Sequence, residues 1–367
     1  MHNNKIERAI LVLVKLKNDR NINLENYQAE MEALVEAAGG MVVATMIQAR
    51  DRIQGATYLG KGKIEELKHL LEEIEPDLVI FDRELSPVQI RNLEKSLETK
   101  IVDRTGLILD IFSQRARSHE GKLQVELASL EYRLPRLIGK GKELSRLGAG
   151  IGTRGSGEQK LELDRRYIRR RIDDIKRQIE RMRKTRSLHR KQRERSGIKT
   201  VSLVGYTNAG KSSLFNALCA RGHTSGQEQV DADSRLFQTL DTTTRKIRWS
   251  DRQEILITDT VGFIQNLPHH LVAAFKSTFE ETVEADLILH VVDIADPNYM
   301  DKIAIVENVL DELGGDKENV LLVFNKIDLM EEKNNFGEGI YVSASTGEGL
   351  DFLMAKISAH FSLGEKE

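Results

Sequence analysis

The sequence has almost none of the features that support a protein outside the cell or in a membrane. Among its 367 residues there is one cysteine, Cys219, so no disulfide can form within the chain. Disulfides are typical of oxidising compartments, so this composition fits a reducing cytoplasm. No stretch is long and apolar enough to cross a bilayer, and the apolar run 9–14 ends at Lys15 without a cleavage-site pattern. We therefore expect a cytoplasmic protein with no membrane span.

A large net charge is also lacking, since the formal value is only -2. This balance hides a strongly basic segment between 165 and 195, in which few acidic residues offset the arginines and lysines. The acidic surplus must lie in the flanking regions. Hydrophobic residues make up 40% and charged residues 31%, as in ordinary globular proteins, and the length predicts two or three domains.

The first part of the chain alternates between apolar runs and segments with helical spacing. Such alternation predicts a small α/β domain with a parallel sheet. Ser86 followed by Pro87 is typical of a helix start. The predicted strands are 6–16, 41–49, 77–82 and 101–102, and the predicted helices are 24–38, 63–74, one from Ser86–Pro87 and one from about Gly106.

The middle of the chain carries two narrow apolar seams with spacings of four and three residues, which is the pattern of packed helices. A glycine-rich stretch, 139–160, separates them, so we predict an antiparallel helical hairpin joined by a mobile loop. The seams are Leu123, Leu127, Leu130, Leu134 and Leu137, and then Ile168, Ile172, Ile175, Ile179 and Met182.

Strands and helices alternate again from Ile198 onward, which predicts a second α/β domain. We therefore expect an α/β fold in three parts. These are an N-terminal α/β domain (1–116), a helical hairpin with a glycine-rich loop (117–196) and a C-terminal α/β domain (197–367).

The segment Gly205–Ser212 fits the phosphate-loop pattern GxxxxGK[ST], between a predicted strand and a predicted helix. Its glycines let the backbone wrap a phosphate, and the following helix adds a positive N-terminal end. Lys211 would contact the β- and γ-phosphates, and Ser212 would supply a hydroxyl to Mg²⁺. An unrelated glycine turn is the alternative, and the strand–loop–helix context argues against it.

Two further segments suit the triphosphate end of a nucleotide. Asp259, in the pattern DxxG, ends a predicted strand and suits Mg²⁺ coordination through water, while Gly262 lets an N–H approach the γ-phosphate. Among Thr242, Thr243 and Thr244 we favour Thr243 as the switch residue that binds Mg²⁺. We expect Lys211, Thr243 and Gly262 to take part in hydrolysis.

The base is predicted to be guanine. In the segment Asn325–Asp328 the carboxylate of Asp328 can accept both N1–H and N2–H of guanine, a donor pair that adenine lacks. Ser343–Ser345 fits the loop that meets the guanine O6 through a backbone N–H. The complete set expected to bind GTP or GDP is Gly205, Tyr206, Thr207, Asn208, Ala209, Gly210, Lys211, Ser212, Ser213, Asp259, Gly262, Asn325, Lys326, Asp328, Ser343, Ala344 and Ser345.

Two residues bear on the rate of hydrolysis. Phe263 follows Gly262 where many GTPases place a glutamine that orients water, and phenylalanine has no hydrogen-bonding group. Intrinsic hydrolysis should therefore be slow and should need a group from a partner or from another loop. Asn208 either coordinates a monovalent cation, with K⁺ favoured over Na⁺, or stabilises the loop; both alternatives stay open.

These motifs, together with the regions before them, resemble the HflX family of GTPases over almost the whole chain. The resemblance is most specific in YLGKGKIEEL (58–67), IFDRELSPVQIRNLE (80–94), the segment 103–137 and GIGTRGSGEQKLELDRR (150–166). Ser156 and Thr242 stand where the family usually has proline, which affects the rigidity of the two loops.

The resemblance implies a GTPase that binds the large ribosomal subunit and splits or rescues stalled ribosomes. We expect the protein to be a monomer. Alternatives are a GTPase for subunit assembly or RNA modification, and a nucleotide-regulated anti-association factor. The basic helix could track rRNA phosphates, or it could be a solvated face with internal ion pairs. The loop residues expected to join it in rRNA contact are Lys140, Lys142, Arg146, Arg154 and Lys160.

Overall fold

The protein is described here by a computed structural model. It describes residues 6–17, 23–137, 156–224, 236–237, 240–248, 254–265, 268, 271, 275, 282–315, 317–330 and 339–363. The contacts within the chain group into two compact units. One unit comprises 1–114 and 122–178, and the other comprises 115–121 and 179–367.

The first unit is built on a four-stranded parallel sheet with the strand order β2-β1-β3-β4. The central strand β1 is a continuous apolar run whose residues Ile10 to Leu13 are fully buried, as expected for a strand covered on both faces. The predicted α/β fold is confirmed. Its elements are β1 (Glu7–Leu16), α1 (Leu24–Ala37), β2 (Gly40–Arg50), α2 (Lys61–Ile74), β3 (Leu78–Phe81), α3 (Pro87–Leu97), β4 (Lys100–Asp103) and α4 (Arg104–Arg115).

The helix starts in this unit follow from capping side chains. Asn23 accepts a hydrogen bond from Glu25 N at 3.0 Å and caps α1. At α3, Ser86 accepts from Gln89 N while the Gln89 side chain accepts from Ser86 N, and Pro87 occupies the first helical position. The helix start predicted at Ser86–Pro87 is therefore confirmed.

Two long helices follow, α5 (His119–Arg136) and α6 (Ser156–Arg195). In the first unit their apolar seams are buried at Leu123, Leu127 and Ile175. Ion pairs flank the seam: Arg171 donates to both carboxylate oxygens of Glu126 at 2.6 and 2.7 Å, and Lys176 lies 2.7 Å from Glu131. Helix α6 begins at Ser156, inside the stretch predicted to be a loop; residues 138–155 lie outside the described residues.

The second unit contains a seven-stranded sheet with the order β11-β10-β9-β5-β8-β7-β6. The strands from β11 to β8 are parallel, and β7 and β6 add an antiparallel edge. The elements are β5 (Lys199–Val204), α7 (Lys211–Arg221), β6 (His223–Thr224), β7 (Thr243–Arg248), β8 (Glu254–Asp259), β9 (Leu287–Asp293), α8 (Tyr299–Glu312), β10 (Val320–Asn325), β11 (Ile340–Tyr341) and α9 (Leu350–Leu363).

Strand β7, which begins at Thr243, is not among the elements that the sequence predicts. It has only one buried residue, Ile247, among polar and charged neighbours, so it carries no apolar periodicity. Its structure comes from antiparallel pairing with β8 along its whole length. Within the residues that the structure describes, no helix has both the length and the apolar character needed to span a membrane.

Candidate nucleotide site

The phosphate loop joins the buried strand β5 to α7, so its backbone turns at the carboxyl edge of the sheet. Gly210 has a φ of +86°, and a Cβ there would lie 2.3 Å from Asn325 Nδ2. A Cβ at Gly205 would lie 2.2 Å from the carbonyl oxygen of Val291. Both positions therefore need glycine, because the loop passes too close to the neighbouring strands for any side chain.

Lys211 points into this loop instead of into water. Its Nζ donates hydrogen bonds to the carbonyl oxygens of Gly205 at 3.1 Å and Tyr206 at 2.9 Å. Burial lowers the pKa of Lys211 from 10.5 to about 8, although the carboxylate of Asp259 acts in the opposite direction. The loop therefore holds a cation where a phosphate group would compensate its charge. Ser212 and Ser213 follow in the first turn of α7.

The lowered pKa of Lys211 predicts a pH dependence of stability for the nucleotide-free protein. Between pH 8 and 10.5 the unfolded chain holds a proton that the folded chain has lost, so the free energy of unfolding should rise with pH. The cost of the buried charge is fully present below pH 8. Its full size is about 3 kcal/mol, at about 1.4 kcal/mol per pKa unit.

The measurement is the free energy of unfolding of wild type and Lys211→Met from pH 7 to 11, without nucleotide. As the pH rises through this window, the free energy of unfolding of the wild type should increase relative to that of the variant, because methionine has no charge to lose. Parallel pH profiles would contradict the buried-cation interpretation. Lys246→Met, which alters an exposed lysine on β7, is the control and should leave the profile unchanged.

The three residues predicted to surround Mg²⁺ are neighbours in the structure. The hydroxyl of Ser212 donates to Asp259 Oδ2 at 2.6 Å, and Asp259 is fully buried. Thr243, the first residue of β7, pairs directly with Asp259 across the β7–β8 ladder. Hydroxyl and carboxylate oxygens are the ligands that Mg²⁺ prefers, so this donor set fits the ion.

The segment after Asp259 crosses directly over the phosphate loop. The N–H of Thr207 donates to the carbonyl oxygen of Phe263 at 2.7 Å, and the N–H of Phe263 donates to that of Gly205 at 3.1 Å. A Cβ on Gly262 would lie 2.9 Å from Lys211 Nζ, so only glycine permits this approach. The side chain of Phe263 is buried in the protein, and its ring has no hydrogen-bonding group.

Asn325 links two loops of the site instead of facing solvent. Its side-chain amide donates to the carbonyl oxygen of Ala209 at 3.0 Å, and its Oδ1 accepts from the N–H of Ala344 at 3.0 Å. The residue is almost fully buried. It therefore holds the phosphate loop and the 343–345 loop at a constant separation.

Asp328 is exposed, but its carboxylate is held in one orientation. The hydroxyl of Ser343 donates to Oδ1 at 2.5 Å, and the hydroxyl of Ser345 donates to Oδ2 at 3.1 Å. The Ser343 hydrogen bond is the main cause that lowers the pKa of Asp328. The carboxylate therefore stays ionised as an acceptor. Sequence reasoning assigned Ser343 and Ser345 a backbone role and missed their hydroxyls, although two serines in this loop were a visible signal.

Asp293 is a further residue that sequence reasoning missed. It ends β9, between β5 and β10, and accepts a hydrogen bond from Lys326 Nζ at 2.6 Å. Lys326 has a φ of +68°, and this ion pair fixes the direction of its side chain. The position of Asp293 at the carboxyl end of a central parallel strand was a signal that could have identified it.

The remaining phosphate-loop residues differ in exposure. Tyr206 is buried, and its hydroxyl accepts a hydrogen bond from Gln265 N at 2.7 Å. Asn208 is exposed and has a φ of +61°, a conformation that asparagine tolerates better than most residues. Its side chain is therefore free of the buried packing that surrounds its neighbours.

The basic helix α6 combines paired and unpaired cations. Within the described part of the chain, six exposed cations of α6 take part in no ion pair: Arg169, Arg170, Arg181, Lys184, Lys191 and Arg195. All but the first recur at spacings that place them on one face, opposite the apolar seam. Lys140, Lys142, Arg146 and Arg154 lie outside the described residues, as does the side chain of Lys160.

The structure brings the predicted phosphate, magnesium and base residues to one edge of a single sheet, at the carboxyl ends of β5, β8 and β10. This fold and this site define a P-loop GTPase, a nucleotide-binding enzyme that hydrolyses GTP to GDP and phosphate.

Residues 25–113 match the family model described as GTP-binding GTPase N-terminal, and 115–193 match GTP-binding GTPase Middle Region. Residues 200–326 match 50S ribosome-binding GTPase. The chain belongs to the HflX family of GTPases.

The family assignment rests on relatives that cover most of both chains. The GTPase HflX of Caldanaerobacter subterraneus subsp. tengcongensis is 51% identical over 354 residues, which is 96% of this chain and 80% of that protein. The GTPase HflX of Escherichia coli is 43% identical over 364 residues, which is 97% of this chain and 83% of that protein. The family and the domain match together support a ribosome-associated GTPase that binds GTP.

A solved structure supports the fold alone. The crystal structure of SsGBP in complex with GDP has a TM-score of 0.51 and 22% identity, and it covers 97% of this chain and 99% of that chain.

Proposed function

We propose that this chain is a GTP-driven switch that binds the large ribosomal subunit and splits or rescues stalled ribosomes. The observation that carries the proposal is the convergence of Lys211, Asp259 and Gly262 at one sheet edge, in a domain that matches 50S ribosome-binding GTPases. GTP in the loop would accept hydrogen bonds from Lys211 and would order the segments at Thr243 and Gly262. Because linkage is reciprocal, the large subunit should raise the affinity for GTP.

The donor set described above would hold Mg²⁺ through Ser212 and Thr243, with Asp259 acting through water. When bound, the ion would neutralise charge on the phosphates. Asp328, oriented by Ser343 and Ser345, would select guanine. Two observations support these roles: the hydroxyl of Ser212 contacts Asp259, and the hydroxyls of Ser343 and Ser345 contact Asp328.

Slow intrinsic hydrolysis is part of this proposal. The buried ring of Phe263 offers no hydrogen bond to water, and its backbone is held by Gly205 and Thr207. A group that orients the attacking water must then come from the large subunit or from another loop. When that subunit stimulates GTP hydrolysis, the protein would be released from it.

The role of Asn208 can be tested by the salt dependence of turnover. If its side chain coordinates a cation beside the phosphates, hydrolysis in KCl should exceed hydrolysis in NaCl by about tenfold, the effect of one lost ligand at about 1.4 kcal/mol. Asn208→Gly keeps the backbone conformation, since glycine adopts positive φ freely, and should abolish the difference between the salts.

The outcome separates the two alternatives for Asn208. Equal wild-type rates in both salts would contradict a cation site. If the glycine variant slowed turnover equally in both salts, the side chain would serve loop stability alone.

The unpaired cations of α6 support contact with rRNA phosphates. Phosphate contacts dominate the affinity of proteins for nucleic acid and weaken as salt rises. The double variant Arg170→Gln and Arg181→Gln should therefore reduce both the affinity for the large subunit and its salt dependence. Lys68→Gln, which removes a partly exposed lysine paired with Glu65, is a matched control.

The decisive experiment is sedimentation of intact ribosomes with the protein and a non-hydrolysable GTP analogue. Splitting into subunits supports the proposal. Binding to free subunits alone supports the alternative of an assembly or RNA-modifying GTPase. Binding of equal strength with and without nucleotide supports an anti-association factor in which nucleotide chemistry is incidental.

A further inference from the structure

Asp241 makes a concentrated set of hydrogen bonds that the GTPase motifs do not explain. Its Oδ2 accepts from the backbone N–H of Arg117 at 2.7 Å and from that of Ser118 at 2.8 Å. The hydroxyl of Ser118 donates to its other oxygen, Oδ1, at 2.5 Å. One carboxylate thus accepts three hydrogen bonds from two adjacent residues, and bonds to a charged acceptor are the stronger kind.

The partner segment is the start of helix α5. Ser118 precedes the helix and its hydroxyl accepts from Gly121 N at 2.9 Å, which is an N-cap. The carboxylate therefore lies at the positive end of a helix, where an anion is favoured. A Cβ on Gly121 would lie 2.1 Å from Asp241 Oδ1, so glycine at this position makes room for Asp241.

Asp241 lies two residues before Thr243 in the chain. Thr243 opens β7 and pairs with Asp259, whose carboxylate accepts from Ser212. The backbone between Asp241 and Thr243 is short, so anchoring one end restricts where the other can lie. Residues 115–121 belong to the same compact unit as the nucleotide site.

We propose that Asp241 is a positioning residue for GTP hydrolysis, which anchors the start of β7 on the N-terminus of α5 so that Thr243 is held opposite Asp259. This inference rests on the proposed role of Thr243 as the switch ligand of Mg²⁺. It also makes the first turn of α5 sensitive to the nucleotide, because a change at Thr243 is passed to the carboxylate that binds Arg117 and Ser118 just before that helix. Neither Arg117 nor Ser118 contacts the nucleotide motifs directly through the bonds described.

The test compares steady-state GTP turnover with GDP affinity, in the full chain with Mg²⁺. Asp241→Ala should lower kcat about tenfold, the rate equivalent of one lost charge-assisted hydrogen bond. GDP affinity should stay within about twofold, because GDP has no γ-phosphate for the switch to contact. Asp241→Asn keeps an acceptor oxygen in place and should recover most of the lost turnover.

A second variant alters the contact between Asp241 and the start of α5 at Gly121 instead of at Asp241. Gly121→Ala places a methyl group where the carboxylate lies and should reproduce the effect of Asp241→Ala. In the Asp241→Ala background the same change should cost nothing further, since no carboxylate remains to be displaced. Glu254→Gln removes a different carboxylate beside β7, one that pairs with Lys246 and Arg248, and should leave turnover unchanged.

Unchanged kcat in Asp241→Ala would overturn the proposal. Equal losses of GDP and GTP-analogue affinity would also overturn it, because they would indicate general damage to the domain. Additive effects of Gly121→Ala and Asp241→Ala would show that the two residues act separately. These outcomes differ from failure of the proposed function, in which the wild type itself shows no splitting of ribosomes.

Discussion

Lys211→Ala should reduce GTP hydrolysis by at least about a thousandfold, the scale of effect seen when a group that stabilises phosphoryl transfer is removed. Lys211 is the cation that the phosphate loop encloses, and its Nζ is held by two loop carbonyls. The N–H groups of the loop would remain in the variant. They carry only partial charges and cannot replace the full positive charge of the buried Lys211.

The measurement is single-turnover hydrolysis, together with the affinity for GTP. Lys246→Ala is the matched control, because it removes an exposed lysine from β7 and should keep wild-type turnover. The first unit has its own sheet and core, so its hydrogen-exchange protection should be unaltered in Lys211→Ala. A variant with intact turnover would refute the role of this loop.

Asp328→Asn should exchange guanine specificity for xanthine specificity. In the wild type, the ionised carboxylate can accept N1–H and N2–H of guanine, and two serine hydroxyls fix its orientation. An asparagine presents an NH₂ donor where an acceptor is needed, so one N–H of guanine would face the Nδ2 donor of the protein. Sites built on such paired hydrogen bonds discriminate by about ten-thousandfold, so GTP affinity should fall by about that factor.

The variant should be assayed with GTP and with xanthosine triphosphate, whose C2 oxygen accepts where guanine donates. Hydrolysis of the xanthine nucleotide should approach the wild-type rate with GTP, because Lys211 and Ser212 are unchanged. Asp301→Asn, an exposed aspartate in the first turn of α8, is the control and should keep GTP preference. Unchanged preference in Asp328→Asn would disprove the assignment of the base.

Much of the fold could be predicted because its signals are local. The buried run of β1, the cap at Ser86–Pro87 and the strand–loop–helix around Gly205 each depend on a few neighbouring residues. Strand β7 could not be predicted, because its residues have no apolar alternation and its partner, β8, provides the structure. The prediction placed the end of the loop 139–160 too late in the chain, because α6 already begins at Ser156.

The candidate site also combines features that the sequence predicts with features that it does not. The residues predicted for the phosphate, magnesium and base positions come together at one sheet edge, because parallel strands end on the same side. The supporting contacts were not predictable. Asp293 reaches Lys326 because β9 and β10 are neighbours, and the hydroxyls of Ser343 and Ser345 reach Asp328 because β11 pairs with β10.

The sequence by itself determined the class of chemistry, since the spacing of glycines, lysine and carboxylates is a local property of the chain. Tertiary structure alone decided how these groups are held. Lys211 has a lowered pKa because packing excludes water, and Phe263 is buried because its backbone pairs with the phosphate loop. Asp241 meets Arg117 across 124 residues of chain, a contact that depends on the path of the folded backbone and on no local pattern.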